Sequence, residues 1–384
     1  MESEVSSPAP LAEAADPEPG RVSTLELFFD LVFVFTITQL TTVLVTDPTP
    51  RGVLQVALML GVIWWMYGGY AWLTNAVAPD GTGRRLLLLG GMAAFLLLAL
   101  VIPRAFAGGG AAFGLAYLVV VGVHAALFTR TSSESAVRAI LRIAPFNIAS
   151  ALLILAAGVG GGLLEYGLWA LAFALEWVTP SVARTEGFEI RAAHFVERHG
   201  LVVIVAIGES VVAIGIGAAG LPIDAGLVVV AVLGLALNAC LWWTVFGGDD
   251  DVRAERALED APLARRPTLA LHAFGYWHLP LLFGIIAIAA GLKKATGLPS
   301  GPLEAAAAIQ LAACVAVFLI AAALVCRTLG ISHGPWRGLA AVLVLFTTPL
   351  GVWLSATAQL AGLVALLVAM LIAESVRATT NHLA

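Results

Sequence analysis

Apolar residues in this chain gather in long runs with few charges, separated by short clusters of glycine, proline and charge. A bilayer core of about 30 Å needs roughly 20 apolar residues per helix. That ruler predicts helices at about 23–46, 53–74, 86–106, 111–129, 138–158 and 162–179. A second set follows at about 199–219, 225–246, 268–291, 303–326, 336–354 and 357–376. The breaks between them carry turn chemistry: Asp47-Pro48-Thr49-Pro50, Gly108-Gly109-Gly110, Gly160-Gly161-Gly162, Leu221-Pro222 and Gly297-Leu298-Pro299. The pattern predicts an all-α, polytopic integral membrane protein with about twelve transmembrane helices.

Composition excludes the soluble classes. Of 384 residues, 60% are apolar and 12% charged, with a mean hydropathy of +0.96. Soluble globular proteins run at about 45–50% apolar and about 25% charged, so too few charges are present to clothe this apolar mass in water. A soluble enzyme, a nucleic-acid binder and a disordered protein are all ruled out. Cys240, Cys314 and Cys326 each lie inside apolar runs, so no disulfide framework, metal cluster or cofactor is indicated. Residues 1–22 form a Pro/Ala/Ser/Glu tail without the basic and apolar regions of a signal peptide, and are expected to be disordered in the cytoplasm. Residues 377–384 are expected to be a second cytoplasmic tail.

Charge placement sets the orientation. With twelve spans, sixteen of the 20 Lys and Arg residues fall on the side of the N-terminus, leaving Arg51, Arg104, Lys293 and Lys294 opposite. The positive-inside rule then puts both termini in the cytoplasm of a cell membrane.

The two sets of six can be laid over each other in order. The run Phe29 to Gln39 corresponds to His199 to Glu209, and Trp64-Trp65 with Gly68-Gly69 to Trp242-Trp243 with Gly247-Gly248. Arg84-Arg85 matches Arg265-Arg266, Arg130-Thr131 matches Arg327-Thr328, and Glu176 matches Glu374. An even number of helices per unit leaves both units in the same orientation, so the repeats, 23–179 and 180–376, are expected to be parallel.

Carboxylates inside spans need an explanation, because a charge at the bilayer centre costs roughly 2.5–3.5 kcal/mol on insertion scales. Glu26 and Asp30 are four apart and share one face of the first helix, crowded by Phe28, Phe29, Phe33 and Phe35. They are expected either to line a pathway or to bond helix-end arginines such as Arg138 or Arg142. Glu209, in Ala206-Ile207-Gly208-Glu209-Ser210, stands alone in its run, with Gly208 and Gly215 permitting close helix approach. His194, Glu197, Arg198 and His199 crowd the start of the seventh helix; such a mixture reads as a solvated helix start, with pathway roles for Glu197 and Arg198 as the alternative. Glu176 and Glu374 lie near helix ends where side chains can reach water. Asn147 and Asn238 read as interhelical hydrogen-bonding groups, and His124, His272 and His278 as partners of neighbouring helices. No GxSxG, Walker loop, Rossmann fingerprint or CxxC is present, and the charged stretch at roughly 247–267 reads as a solvated connector.

The run Ser23-Thr24-Leu25-Glu26-Leu27-Phe28-Phe29-Asp30-Leu31-Val32-Phe33-Val34-Phe35 resembles the opening signature of the bacterial low temperature requirement A (LtrA) family. His194-Phe195-Val196-Glu197-Arg198-His199-Gly200-Leu201, leading into Ile207-Gly208-Glu209-Ser210, is similar to that family's second signature. The resemblance covers nearly the whole chain and implies a membrane protein of a class named for a growth phenotype. Phe28-Phe29-Asp30 followed by Ile37-Thr38 also resembles the Phe-Ser-Asp first-helix motif of the endolysosomal-type potassium channels, with Phe29 in place of the serine. In the second repeat Gly200 stands where that motif needs an aspartate.

The leading expectation is a transporter or channel for a small solute or cation, with Glu26, Asp30, Glu209, Glu176, Glu197 and Arg198 as pathway candidates. A membrane-embedded enzyme and a non-catalytic membrane stress factor are the alternatives. The expected partners are the lipid bilayer, a small solute or cation and a second copy of the chain, without nucleic acid. Reporter fusions after Arg51 and after Lys294 are expected to report the outside, and a fusion after Arg266 the cytoplasm. A cytoplasmic report at Lys294 would remove the duplication as well.

Overall fold

The computed structural model describes residues 22–76, 81–130, 134–183 and 190–383. The tail expected to be disordered therefore lies, apart from Val22, outside the described residues. The described chain is built of α1 (Thr24–Thr46), α2 (Pro50–Ala76), α3 (Thr82–Val101), α4 (Gly110–Phe128), α5 (Glu134–Gly160) and α6 (Gly162–Ala183). Then come α7 (Ala192–Ala218), α8 (Ala225–Phe246), the short α9 (Asp250–Asp260), α10 (Arg266–Gly297), α11 (Ala305–Thr328), α12 (Trp336–Trp353) and α13 (Ala356–Leu383).

Among the described residues, eleven helical stretches are long and apolar enough to cross a membrane. α6 makes the expected twelfth: its 22 residues give the length, while Glu165 and Glu176 dilute its hydropathy. Large apolar side chains such as Leu31, Leu97, Leu163, Phe346 and Trp353 point outward. In water such a surface would be untenable; in lipid it is the ordinary exterior.

Local chemistry explains the breaks. Asp47 precedes Pro48, whose ring pushes it out of the helical region and ends α1. Pro50 opens α2, where its missing N–H is no loss. Between α5 and α6 the chain passes through Gly161 and Gly162 at φ +64° and +61°, a left-handed pair that side chains disfavour. α10 carries a π-helical turn over Leu271–Tyr276. α12 tightens to a 3-10 turn over Val344–Thr347, where Pro349 denies the carbonyl of Leu345 its helical donor.

The two sets of six pack alike. In each, the first helix meets the second and third, the third meets the fourth, the fourth the fifth, the fifth the sixth, and the sixth returns to the second. α10 takes the third position in the second set, and α9 is an extra element between second and third. α1 also packs on α7 and α10, so the first helix of one set lies at the seam between both.

Three expectations are corrected. Residues 247–267 are not a bare connector: α9 buries Asp250, Ala254 and Leu258 at four-residue spacing against α7 and α8. Residues 377–383 continue α13 rather than forming a tail. α7 begins at Ala192, two turns before the expected 199, which brings His194 and Arg198 inside the helix.

α4 and α5 approach through glycine. A Cβ at Gly158 would collide with the backbone of Gly110 and Ala111, whereas one at Gly122 would meet nothing. Overfilling a packed site costs about 1–3 kcal/mol even where side chains can shift, and here the obstacle is backbone. Gly158→Leu is therefore expected to lower the melting temperature and broaden the gel-filtration profile of purified protein, while Gly122→Leu leaves both unchanged.

Candidate functional site

α1 is inside out relative to a helix of a soluble protein. Its buried residues, Glu26, Phe29, Asp30, Phe33, Thr36, Ile37, Leu40, Thr41 and Leu44, recur every three or four positions and form one stripe. Both carboxylates, with Thr36 and Thr41, lie on that stripe, while Leu27, Phe28 and Leu31 face outward. Against it α7 presents His194, Arg198, Val202, Ala206 and Glu209, all buried. The contacts Glu26 to His194, Asp30 to Arg198 and Thr38 to Glu209 advance in the same direction along both chains, so α1 and α7 are parallel.

The cluster at the start of this seam is fully enclosed. Arg198 places Nη2 3.0 Å from Asp30 Oδ1 and Nη1 3.5 Å from Glu26 Oε1. His194 Nε2 lies 3.0 Å from the same Glu26 oxygen. Asp30 Oδ1 also accepts the Tyr67 hydroxyl at 2.8 Å. The guanidinium carbon of Arg198 sits 5.6 Å from the Phe29 ring centre and 5.7 Å from that of Tyr67, within range of cation–π attraction. Glu26, Asp30, Arg198 and His194 are each no more than 2% exposed.

Glu26 performs a second task. Its Oε2 accepts both the backbone N–H and the hydroxyl of Ser23 at 2.8 Å, while Ser23 Oγ accepts the Glu26 N–H at 3.3 Å. This is a capping box, which satisfies donors left open at a helix start.

Asn75, near the end of α2, fixes the protonation pattern of His194. Its Oδ1 accepts the Arg191 N–H at 3.0 Å, so its Nδ2 is the atom 3.3 Å from His194 Nδ1. That imidazole nitrogen accepts, and the ring proton therefore sits on Nε2, facing Glu26. With both carboxylates ionised, Glu26, Asp30, Arg198 and this neutral imidazole sum to one negative charge. Asp30 Oδ2 and Arg198 Nε find no hydrogen-bond partner within the protein.

Aromatic rings close the next layer. Trp64 stacks on Tyr67 at 5.1 Å between centres and on His278 at 6.3 Å. Its Nε1 donates to Gly275 O, in the π turn of α10, at 2.8 Å. His199 and His278 each donate through Nδ1 to a backbone carbonyl, Phe195 O and Ala273 O respectively. Trp64 also lines a cavity of about 90 Å³ together with Trp65, Trp177, Tyr276, His124 and His199. Farther along the seam, Thr38 Oγ1 donates to Glu209 Oε2 at 2.8 Å.

The structure brings together Glu26, Asp30 and Arg198 of the expected pathway residues and puts Glu209 on the same seam. The alternative partners fail: Arg138 is exposed and pairs with Glu134 at 3.2 Å. The seventh helix does not start as a solvated mixture, since His194, Arg198 and His199 are buried. Glu197 alone of that group is exposed, accepting the Val22 N–H at 3.2 Å, and it takes no part in the cluster. Glu209 is not alone, because Thr38 bonds it.

Glu176 does not reach water. It is fully buried in the first set, accepting hydrogen bonds from Tyr117 of α4 and Ser150 of α5. Glu374 is likewise held, by Arg337 at 3.0 Å. Asn147 takes the expected interhelical bond, from Trp65 Nε1 at 3.0 Å. Buried Asn238 has no partner within the protein for either side-chain atom. Tyr67 and Asn75 escaped the sequence reading, and Trp64 entered it only as a marker of the repeat. The Ser-x-x-Glu spacing of Ser23 and Glu26 was a legible capping signal.

Twelve apolar helices around a buried ionic seam define a multi-pass membrane protein. Residues 21–372 match the family described as "Bacterial low temperature requirement A protein (LtrA)", and the chain belongs to that family. It is 29% identical over 284 residues to "Uncharacterized protein RA0937" of Rhizobium meliloti (strain 1021), covering 71% of this chain and 68% of that one. No solved structure matches it. Both signatures that carried the resemblance meet at the seam: the α1 run supplies Glu26 and Asp30, the α7 run His194 and Arg198.

Removing one partner of a buried ion pair costs about 3–5 kcal/mol, whereas replacing both with apolar or neutral groups is often tolerated. Arg198→Met is therefore expected to destabilise the purified protein severely. Adding Glu26→Gln and Asp30→Asn to it is expected to recover most of the loss, as read from melting temperatures in detergent. A triple variant no more stable than Arg198→Met would contradict the pairing.

Proposed function

We propose that the protein is a transporter or channel for a small cation, a proton included, residing in the cell membrane with both termini in the cytoplasm. The observation that carries this reading is the charge imbalance at the α1–α7 seam. Two carboxylates face one guanidinium in a space closed to solvent, and a neutral imidazole fills the remaining side. One positive charge more, as a proton on Asp30 or a metal cation beside its free oxygen, makes the site neutral. Ionisable groups inside a membrane protein are costly and mark ion pathways and proton relays.

Glu209 with Thr38 supplies the next polar station along the same two helices. The aromatic layer of Phe33, Trp64 and Tyr67 separates the stations, so passage requires those rings to move. The parallel packing of the two six-helix sets supports a rocking of one set against the other about this seam, as in transporters built from repeats.

The test is flux through purified protein in proteoliposomes, measured for protons, potassium and sodium in turn. Asp30→Asn is expected to insert and remain monodisperse while lowering flux about tenfold or more, the effect of roughly 1.4 kcal/mol on a barrier. Glu209→Gln keeps size and hydrogen bonding and is expected to fold normally but to abolish the pH dependence of flux. Identical pH profiles for wild type and Glu209→Gln would remove Glu209 from the pathway. Absence of flux for all three ions would overturn the reading as a whole.

A further inference from the structure

Apart from the α1–α7 seam, a second ionic cluster forms where five segments of the second half converge. Asp250 opens α9, Cys326 lies in the last turn of α11, His333 sits in the connection to α12, and Arg337 and Glu374 come from α12 and α13. We propose that Asp250, Cys326 and His333 are the ligands of a divalent transition-metal ion of the zinc class.

The geometry supports this first. One ligand atom from each of the three residues lies within 4.8 Å of the others. His333 Nε2 is 2.8 Å and Cys326 Sγ 3.8 Å from Asp250 Oδ2. Zinc binds nitrogen, oxygen and sulfur at about 2.0–2.3 Å in a tetrahedron, which sets ligand atoms roughly 3–4 Å apart. Asp250 and Cys326 are each 7% exposed. His333 Nε2, although 2.8 Å from Asp250 Oδ2, makes no aligned hydrogen bond, and the other carboxylate oxygen, Oδ1, has no hydrogen-bond partner within the protein either.

Arg337 is the obvious objection, since a guanidinium repels a metal ion. Its closest partner, however, is Glu374, with Nε 3.0 Å from Oε1 and Nη2 3.4 Å from Oε2; the same Nη2 lies 3.4 Å from Asp250 Oδ2, leaving Oδ1 without a hydrogen-bond partner for the ion. Its Nη1 also donates to Cys326 Sγ at 3.3 Å, a contact that offsets part of what burial and the nearby carboxylates cost the thiolate that metal binding requires. When the metal binds, the Cys326 thiol proton leaves to solvent. Asp250, Glu374 and the thiolate then carry three negative charges beside Arg337, the divalent ion and Arg253, whose Nη1 lies 3.9 Å from Asp250 Oδ1.

The outer shell and the approach also fit. Glu374 Oε2 lies 3.7 Å from His333 Nδ1, on the ring's far side from Asp250, where a carboxylate orients a ligating imidazole. A cavity of about 240 Å³, lined by Arg253, His333 and Glu374, adjoins the cluster and admits the ion. The thiolate and imidazole select zinc-like ions over magnesium and calcium, which require oxygen ligands. None of these residues belongs to the α1–α7 seam, so the site stands whether or not that seam conducts.

The test uses reduced, chelator-treated, full-length protein in detergent. Zinc is titrated against a chromophoric chelator, and cobalt serves as a spectroscopic substitute. The expected result is one equivalent per chain, with a thiolate-to-cobalt charge-transfer band. Cys326→Ser is expected to abolish that band. Cys326→Ser and His333→Gln are each expected to weaken zinc binding about 100-fold or more, a first ligand outweighing the 10–100-fold worth of an outer-shell partner. Absence of the band in wild type at one equivalent, or zinc affinity unchanged in both variants, would overturn the site.

Discussion

A guanidinium cannot be left alone in a space without water, and Arg198 has two carboxylates from one helix as its answer. The cost of burying an isolated charge is many kcal/mol, so α1 has to run beside α7, in the same direction, with Glu26 and Asp30 in register. That requirement places the first helix of one set against the first helix of the other. The aromatic residues follow from it: Phe29 and Tyr67 lie side by side against the guanidinium, and the Tyr67 hydroxyl satisfies Asp30. Trp64 then packs on Tyr67 and reaches from α2 into the π turn of α10, extending the constraint to a fourth helix.

Much of the architecture was legible because membrane spans announce themselves by length and hydropathy. Partners were not. In a water-soluble helix the apolar stripe marks the buried face; in α1 both faces are apolar and only the polar residues mark the inside. Glu26 and Asp30 could therefore be assigned a common face, yet the arginines expected as partners were Arg138 and Arg142 of the same set, not Arg198 of the other. Arg198 was misread for a related reason. Its neighbours His194, Glu197 and His199 make a polar run, and a polar run at a helix start suggests solvent. The fold instead extends α7 by two turns and turns three of the four inward, leaving Glu197 on the surface. α9 had a readable stripe in Asp250, Ala254 and Leu258, but its many charges masked it.

The two sets of six share a packing scheme and differ in chemistry. Near the end of the sixth helix of the first set, Glu176 is held by hydroxyl groups from the fourth and fifth helices. In the second set Glu374 meets Arg337 of the fifth helix, joined by His333 and, through Arg337, Asp250. Corresponding positions in the two packing schemes thus hold a hydroxyl-bonded carboxyl in one set and an ionic cluster in the other. A shared packing scheme leaves the side chains free to differ, because lipid-facing helices need only stay apolar outside and close-packed inside.

The double duty of Glu26 couples two events that otherwise have nothing in common. One oxygen closes the first turn of α1 onto Ser23, and the other belongs to the ionic cluster. A carboxylate is rigid and planar, so rotating it to follow an occupant of the cluster withdraws it from the cap. On the proposed reading, occupancy of the cluster and winding of the first turn are two sides of one equilibrium, each shifting the other by the same free energy. Fraying at the start of α1 becomes a mechanical reporter of charge buried beneath it, read out where the chain leaves the membrane.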